Sequence, residues 1–166
     1  MNRLKQILLG IAVTFPIYLS AQPQLTAVVP WEIPQGIFFG MPLDNFQKAV
    51  ELGLMTKDTS DVYRWTYFHE HPTDSIEGIM YFIDNQLDHQ PLYEIAIAYG
   101  SQEVARNKAL TLFGEPNFLN KQTGETNEWR FANPGFPDIW VWIVKGNLVI
   151  IANIPGTEWG IDWYLY

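Results

Sequence analysis

The chain has 166 residues, no cysteine, and eighteen acidic against ten basic side chains, a net charge of −8. Lack of cysteine excludes disulfide scaffolding, thiol catalysis, thiolate metal sites and attachment through a lipoprotein cysteine. So acidic a surface repels phosphate backbones and anionic lipid, which argues against nucleic acid as a partner.

Residues 1–21 carry Arg3 and Lys5, then an apolar stretch from position 7 to 19 interrupted by Gly10, Thr14 and Pro16, and close on Ser20-Ala21. This is the layout of a secretory signal peptide, too short and too broken by Pro16 to serve as a membrane span. Cleavage after Ala21 is expected, giving a periplasmic or secreted protein with no membrane span in the mature chain. Eight basic side chains then remain against eighteen acidic ones. About 145 residues suffice for one ordinary domain held by its apolar core.

Residues 22–36 place Pro23, Pro30 and Pro34 around Val28, Val29, Trp31 and Ile33, which predicts an extended arm laid along a single domain spanning 37–166. Leu43, Phe46, Val50 and Leu54 recur at helical spacing behind Pro42, with Asp44 in the first turn, and predict a helix over 42–53. The period then changes to two. Tyr63, Trp65, Tyr67 and His69 alternate with Arg64, Thr66, Phe68 and Glu70, the pattern of a strand. Turn residues 71–74, a strand over 76–83, a polar connection and a strand over 92–99 follow; Tyr93, Ile95, Ile97 and Tyr99 are expected on one face of the last.

Ser101 is placed to cap a second helix bearing Ala105, Ala109 and Leu112, which Gly114 and Pro116 end. A strand around 128–131, another over 139–145, a tight turn at Gly146-Asn147 and a final strand over 148–154 complete the order αβββ-αβββ. The two passages echo one another. Gln47-Lys48-Ala49-Val50-Glu51-Leu52-Gly53 is answered by Asn107-Lys108-Ala109-Leu110-Thr111-Leu112-Phe113-Gly114, and Arg64-Trp65-Thr66-Tyr67 by Glu128-Trp129-Arg130-Phe131, with 139–145 corresponding to 79–85. The expected fold is α+β: repeats over about 37–100 and 101–158, a short C-terminal tail, and two helices on one face of a mostly antiparallel sheet.

Gly36-Ile37-Phe38-Phe39-Gly40-Met41-Pro42, the Gly114-Glu115-Pro116 helix exit and Trp129-Arg130-Phe131 resemble the short signatures of the outer-membrane assembly lipoproteins of the SmpA/OmlA type. The helix-then-sheet units are also similar to those of the tandem β-lactamase inhibitory proteins. The resemblance implies a shared fold and a non-catalytic role in the cell envelope or outside it, with the sheet and its loops docking a protein. This chain departs from both groups, having neither the lipid-modified cysteine of the first nor the disulfides of the second.

The strands carry a clue of their own. Trp140, Trp142 and Val144 alternate with Ile139, Val141 and Ile143, so neither sheet face is polar, and two short helices cover only one. The other face needs the arm, the tail at 159–164, a second subunit or a ligand. Trp65, Tyr67, Trp129, Trp140 and Trp142 are the candidates for a binding face, with ordinary core as the competing assignment. His69 and His71, two apart on a strand, are the candidate metal ligands, with Asp88 or His89 to complete a set. Ser60, Ser75 and Ser101 lie in no Gly-x-Ser-x-Gly elbow, and Glu77 with Glu94 is the plainest carboxylate pair. The reading is an exported binding module without a cofactor, monomer or homodimer. The alternative is an envelope polysaccharide or peptide hydrolase built on acidic residues or the His69/His71 pair.

Overall fold

A computed structural model describes residues 33–121, 124, 126–132 and 137–160, apart from the His71 side chain. The proposed signal peptide, most of the arm and the last six residues lie outside that set. Helix α1 is Leu43–Ala49, followed by a 3-10 turn Leu52–Leu54 and strands β1 Met55–Asp58, β2 Arg64–Thr73, β3 Ile76–Asp84 and β4 Leu92–Ala98. Helix α2, Gln102–Phe113, leads into β5 Phe118–Leu119, β6 Thr126–Phe131, β7 Ile139–Val144 and β8 Asn147–Ala152. The strands form one sheet in the order β1-β2-β3-β4-β8-β7-β6-β5, antiparallel throughout.

The expected α+β class holds, with two strands more than the sequence pattern predicts. Strands β1 and β5 are short edge strands, pairing Lys57 with Tyr67 and Phe118 with Glu128. Neither has the run of alternating apolar residues that marks a strand in sequence. The first helix is shorter than its apolar spacing predicts. Val50 leaves helical conformation with ψ 154°, and the chain tightens through the 3-10 turn before entering β1.

Alternation along the paired strands sorts the side chains onto two faces. Tyr67, Tyr81, Ile79, Ile95, Ile97, Ile150, Leu148, Val141, Ile139 and Trp129 share the face that carries the helices, and all are buried. Phe46 of α1 packs edge-on against Tyr67 at 5.3 Å and tilted against Tyr81 at 5.1 Å. Phe113 of α2 packs tilted against Trp129 at 6.2 Å and Phe131 at 5.9 Å. Ala105 and Ala109, both fully buried, let α2 approach the strands closely. Ser101 caps it as expected, its Oγ accepting from the Val104 N–H at 3.2 Å. Gly114 carries φ +74° at the other end.

Two local features depart from simple alternation. The register slips between Phe82 and Ile83, which face Glu94 and Leu92, so Tyr93 is a bulge residue and turns away from Ile95 and Ile97. The β7–β8 turn is Lys145-Gly146, with φ +50° and +82°, and Asn147 is already paired with Val144. Positive φ at both central residues gives the twist a two-residue hairpin requires. The pairing also departs from the correspondence expected between the halves. Trp65 faces Ile83 and Trp129 faces Val141, so Val141 stands where Ile83 does, two residues from the sequence-based match.

Trp129 is the largest fully buried side chain, and its Nε1 donates to the Gly114 carbonyl at 2.9 Å, tying β6 to the end of α2. Replacing Trp129 with Ala should therefore cost about 3–5 kcal/mol through the cavity and the orphaned carbonyl. Replacing it with Phe should cost about 1–2 kcal/mol. Urea unfolding followed by circular dichroism at constant m-value measures both.

Candidate functional site

The five aromatic candidates divide between the two faces. Tyr67 and Trp129 are 2% and 0% exposed beneath the helices. Tyr67 is held there by the Gln47 Nε2, which donates to its hydroxyl at 2.9 Å. Trp65 is on the same face nearer the sheet edge, half-buried, with the Lys57 ammonium 3.6 Å from its ring centroid. Trp140 and Trp142 lie on the opposite face, both half-buried, and are the pair among the five that share an accessible surface.

Three indoles meet on that far face. Trp140 and Trp142 pack edge to face at 4.8 Å, and Trp159 from the segment after β8 joins them at 6.4 Å and 5.5 Å. Two of the three polar edges are turned into the protein. The Trp140 Nε1 donates to Glu128 Oε2 at 2.8 Å, and the Trp159 Nε1 donates to Glu94 Oε2 at 3.0 Å. Both carboxylates are 8% exposed. A buried carboxylate is tolerated where donors surround it. Glu128 also accepts from the Asn120 Nδ2 at 2.9 Å and has the Arg130 guanidinium 3.9 Å away. That guanidinium is sandwiched, 3.4 Å from the Phe118 ring centroid and 4.0 Å from that of Trp140, a cation–π stack running from the edge strand into the cluster.

The segment 153–160 crosses the far face as a strap. Its turns are closed by the Thr157 N–H donating to Ile154 O at 3.1 Å and the Gly160 N–H donating to Thr157 O at 3.0 Å. Glu158 accepts from Arg64 Nη1 and from the Tyr93 hydroxyl, both at 3.3 Å, the latter reaching this side because of the β4 bulge. Beneath it Ala96, Val149 and Ile151 are buried. Trp159 and Gly160, the described start of the tail, are thus part of a cover over this face; 161–164 lie outside the described residues. Of the arm, residues 33–36 are described, and Ile33 is buried in the core; the stretch that follows it also buries Ile37, Phe39 and Met41, and Gly40 N–H donates to Leu92 O at 2.8 Å.

Two clefts flank the strap. One of about 400 Å³ is lined by Asp61, Arg64, Tyr93 and Glu158, and the other, of about 350 Å³, by Asn120, Asn127, Glu128 and the three indoles. In the first, Arg64 is paired with Asp61 and Glu158, each at 3.3 Å. Sequence reasoning finds Trp140 and Trp142, and Glu94 only as a partner for Glu77, but not Glu128, Asn120, Phe118 or Arg130. The available signal is the alternation Glu128-Trp129-Arg130, which puts both charges on the face opposite a core tryptophan.

The remaining candidates do not assemble. His69 is half-buried opposite Ile79, and the register of β2 is irregular between Glu70 and Thr73, which breaks the alternation that would align His71 with it. The His71 side chain lies outside the described residues. Among the described residues no group of three or more His, Asp or Glu is placed to hold a metal ion. Glu77 and Glu94 are not neighbours: Glu94 faces Phe82, five positions along β3, about 16 Å. Acid–base pairs of glycosidases stand about 5–9.5 Å apart. No described helix is long and apolar enough to cross a membrane. Neither family models, nor curated proteins, nor solved structures provide a match for this chain.

Burial pushes the Glu94 carboxyl above its ordinary 4.5, outweighing the Trp159 donor and Arg64, which act to lower it. A raised folded-state value means that ionised Glu94 opposes folding at neutral pH, and that this opposition vanishes as pH falls through the folded value to the unfolded one. Glu94→Gln should accordingly melt above the wild type at pH 8, and the gap should close by about pH 4. Paired melting curves across that range check the sign.

Proposed function

We propose that the chain is an exported, non-catalytic binding module of the cell envelope or extracellular space, and that it docks a protein partner through the sheet face opposite its helices. The observation that carries this reading is the strip of half-buried indoles at Trp140, Trp142 and Trp159. A face serving only as core would be covered by a helix layer, as Tyr67 and Trp129 are. Here it is crossed by an eight-residue strap that leaves rings partly open to solvent. Partly exposed Trp clusters supply the dominant energy in many interfaces.

The module consists of two αβββ repeats pooled into one sheet, each with a short extra edge strand between its helix and its three longer strands. The mirrored strand order on either side of β4 and β8 supports duplication, as do the placement of both helices on one face and the Trp65/Trp129 correspondence. The resemblance to envelope assembly lipoproteins and tandem inhibitory proteins supports a protein as the partner. Asp44, Glu77 and the other acidic residues serve solubility in this reading, and no cofactor takes part. The protein acts as a monomer or a homodimer.

Two outcomes are expected. The protein recovered from its native host should begin at Gln22 by amino-terminal sequencing and should be found outside the inner membrane. A cross-linked partner recovered with the wild type should be lost with Trp142→Asp and kept with Lys48→Ala on the helix side. Equal recovery with both variants would overturn docking through this face.

A further inference from the structure

We infer that the groove beside Trp142 is a binding site for a neutral saccharide. The inference rests on reading the far face as a binding surface and adds a second ligand to the protein docked there.

Its walls have the three properties that a sugar ring demands. The first is a flat apolar surface. Trp140 and Trp159 have their N–H edges fixed on Glu128 and Glu94, so their rings are locked and Trp142 stands between them. The C–H face of a pyranose stacks on such a ring, and a platform held before the ligand arrives loses little conformational entropy on binding. The second is directional polar chemistry at the rim. Asn120 and Asn127 line the groove, and an amide has two N–H donors and an acceptor oxygen, so that Asn120, which gives one N–H to Glu128, is not exhausted by that bond. The Trp142 Nε1 adds a donor, for no acceptor of it is found among the described residues. The third is local electroneutrality. The charged residue of the lining, Glu128, is itself buried, accepts from Trp140 and Asn120, and has the Arg130 guanidinium, outside the lining, 3.9 Å away to offset it.

Competing ligand classes fit less well. An extended peptide is read through backbone hydrogen bonds at a sheet edge. This groove lies on the face of β7, whose two neighbours β6 and β8 already use its backbone groups. An anionic polymer meets a chain of net charge −8 and a groove whose charged lining residue is the Glu128 carboxylate. The volume of about 350 Å³ suits a small ligand, at the lower end of the 300–1,000 Å³ usual for such sites.

The test is tryptophan emission and calorimetry of the full mature protein with neutral hexasaccharides of β-1,4-glucose, α-1,4-glucose and β-1,4-N-acetylglucosamine. At least one should shift the emission to shorter wavelength and bind saturably. Trp142→Ala should weaken that binding by about tenfold or more, Trp142→Phe by less, and Asn127→Ala by several-fold, each read on protein that a cooperative melt shows to be folded. Asn127→Ala keeps all three rings, so it stands if Trp142→Ala fails to fold. If none of the three binds at millimolar concentration, or binding survives in a folded Trp142→Ala, the saccharide site is refuted. Protein cross-linking that still depends on Trp142 would then leave the docking reading intact, whereas loss of both would remove the two together.

Discussion

The pairing of β4 with β8 is the constraint from which the rest of the molecule follows. Ile95 faces Ile150 and Ile97 faces Leu148, all fully buried on the helix side, while Ala96 faces Val149 on the other. Through these residues two four-strand meanders become one sheet with a single core. Neither meander with its own helix could bury as much: α1 is seven residues long and reaches the sheet chiefly through Phe46, and α2 meets it partly through the small Ala105 and Ala109. A central pair that is apolar on both faces also creates a demand. The helices satisfy it on one side only, so the far side must be closed by something else.

What closes it is held by polar chemistry rather than by area alone. Glu94 and Glu128 lie on the far face of the two halves, each buried, and each accepts an indole N–H. A buried carboxylate without donors would be costly, so the indoles and the carboxylates fix one another. The asymmetry between the halves is informative. On the β6 side the carboxylate's donors come from the sheet and the adjoining loop, Trp140 and Asn120, with Arg130 stacked beside them. On the β4 side the donor is Trp159, which belongs to the strap, and Arg64 and Tyr93 hold its neighbour Glu158. Glu94 therefore couples the strap to the sheet, and its raised proton affinity reflects how far from water that coupling takes it.

Much of this fold was legible in the sequence because its signals are local. Period-two alternation of Tyr63, Trp65, Tyr67 and His69, the Ser101 cap and the Gly114 exit each state a backbone preference within a few residues. The edge strands were not legible, since Met55–Asp58 is polar and pairs only because β2 offers an edge. Nor was the division of the tryptophans. Trp65 and Trp129 share strand parity with the helix-facing residues, whereas Trp140 and Trp142 do not, and the parity of one strand against another depends on register, which local sequence does not state. The β4 bulge makes the same point. Alternation placed Tyr93 with Ile95, but one extra residue opposite Ile83 turns its hydroxyl toward Glu158.

The far face also explains why its rings are only half covered. If the strap were there only to complete the core, a fully buried apolar run would close it, as Ile33, Ile37 and Phe39 do near Leu92. Instead it places Glu158 and Trp159 side by side, one in the cleft with Arg64 and the other in the groove with Trp142. Each residue anchors the strap with its polar atoms and leaves its remaining surface as a wall. The same contacts that hold the tail down therefore shape the two hollows on either side of it. A surface built that way is rigid where it is polar and open where it is aromatic, the division of labour that selective recognition of a ligand requires.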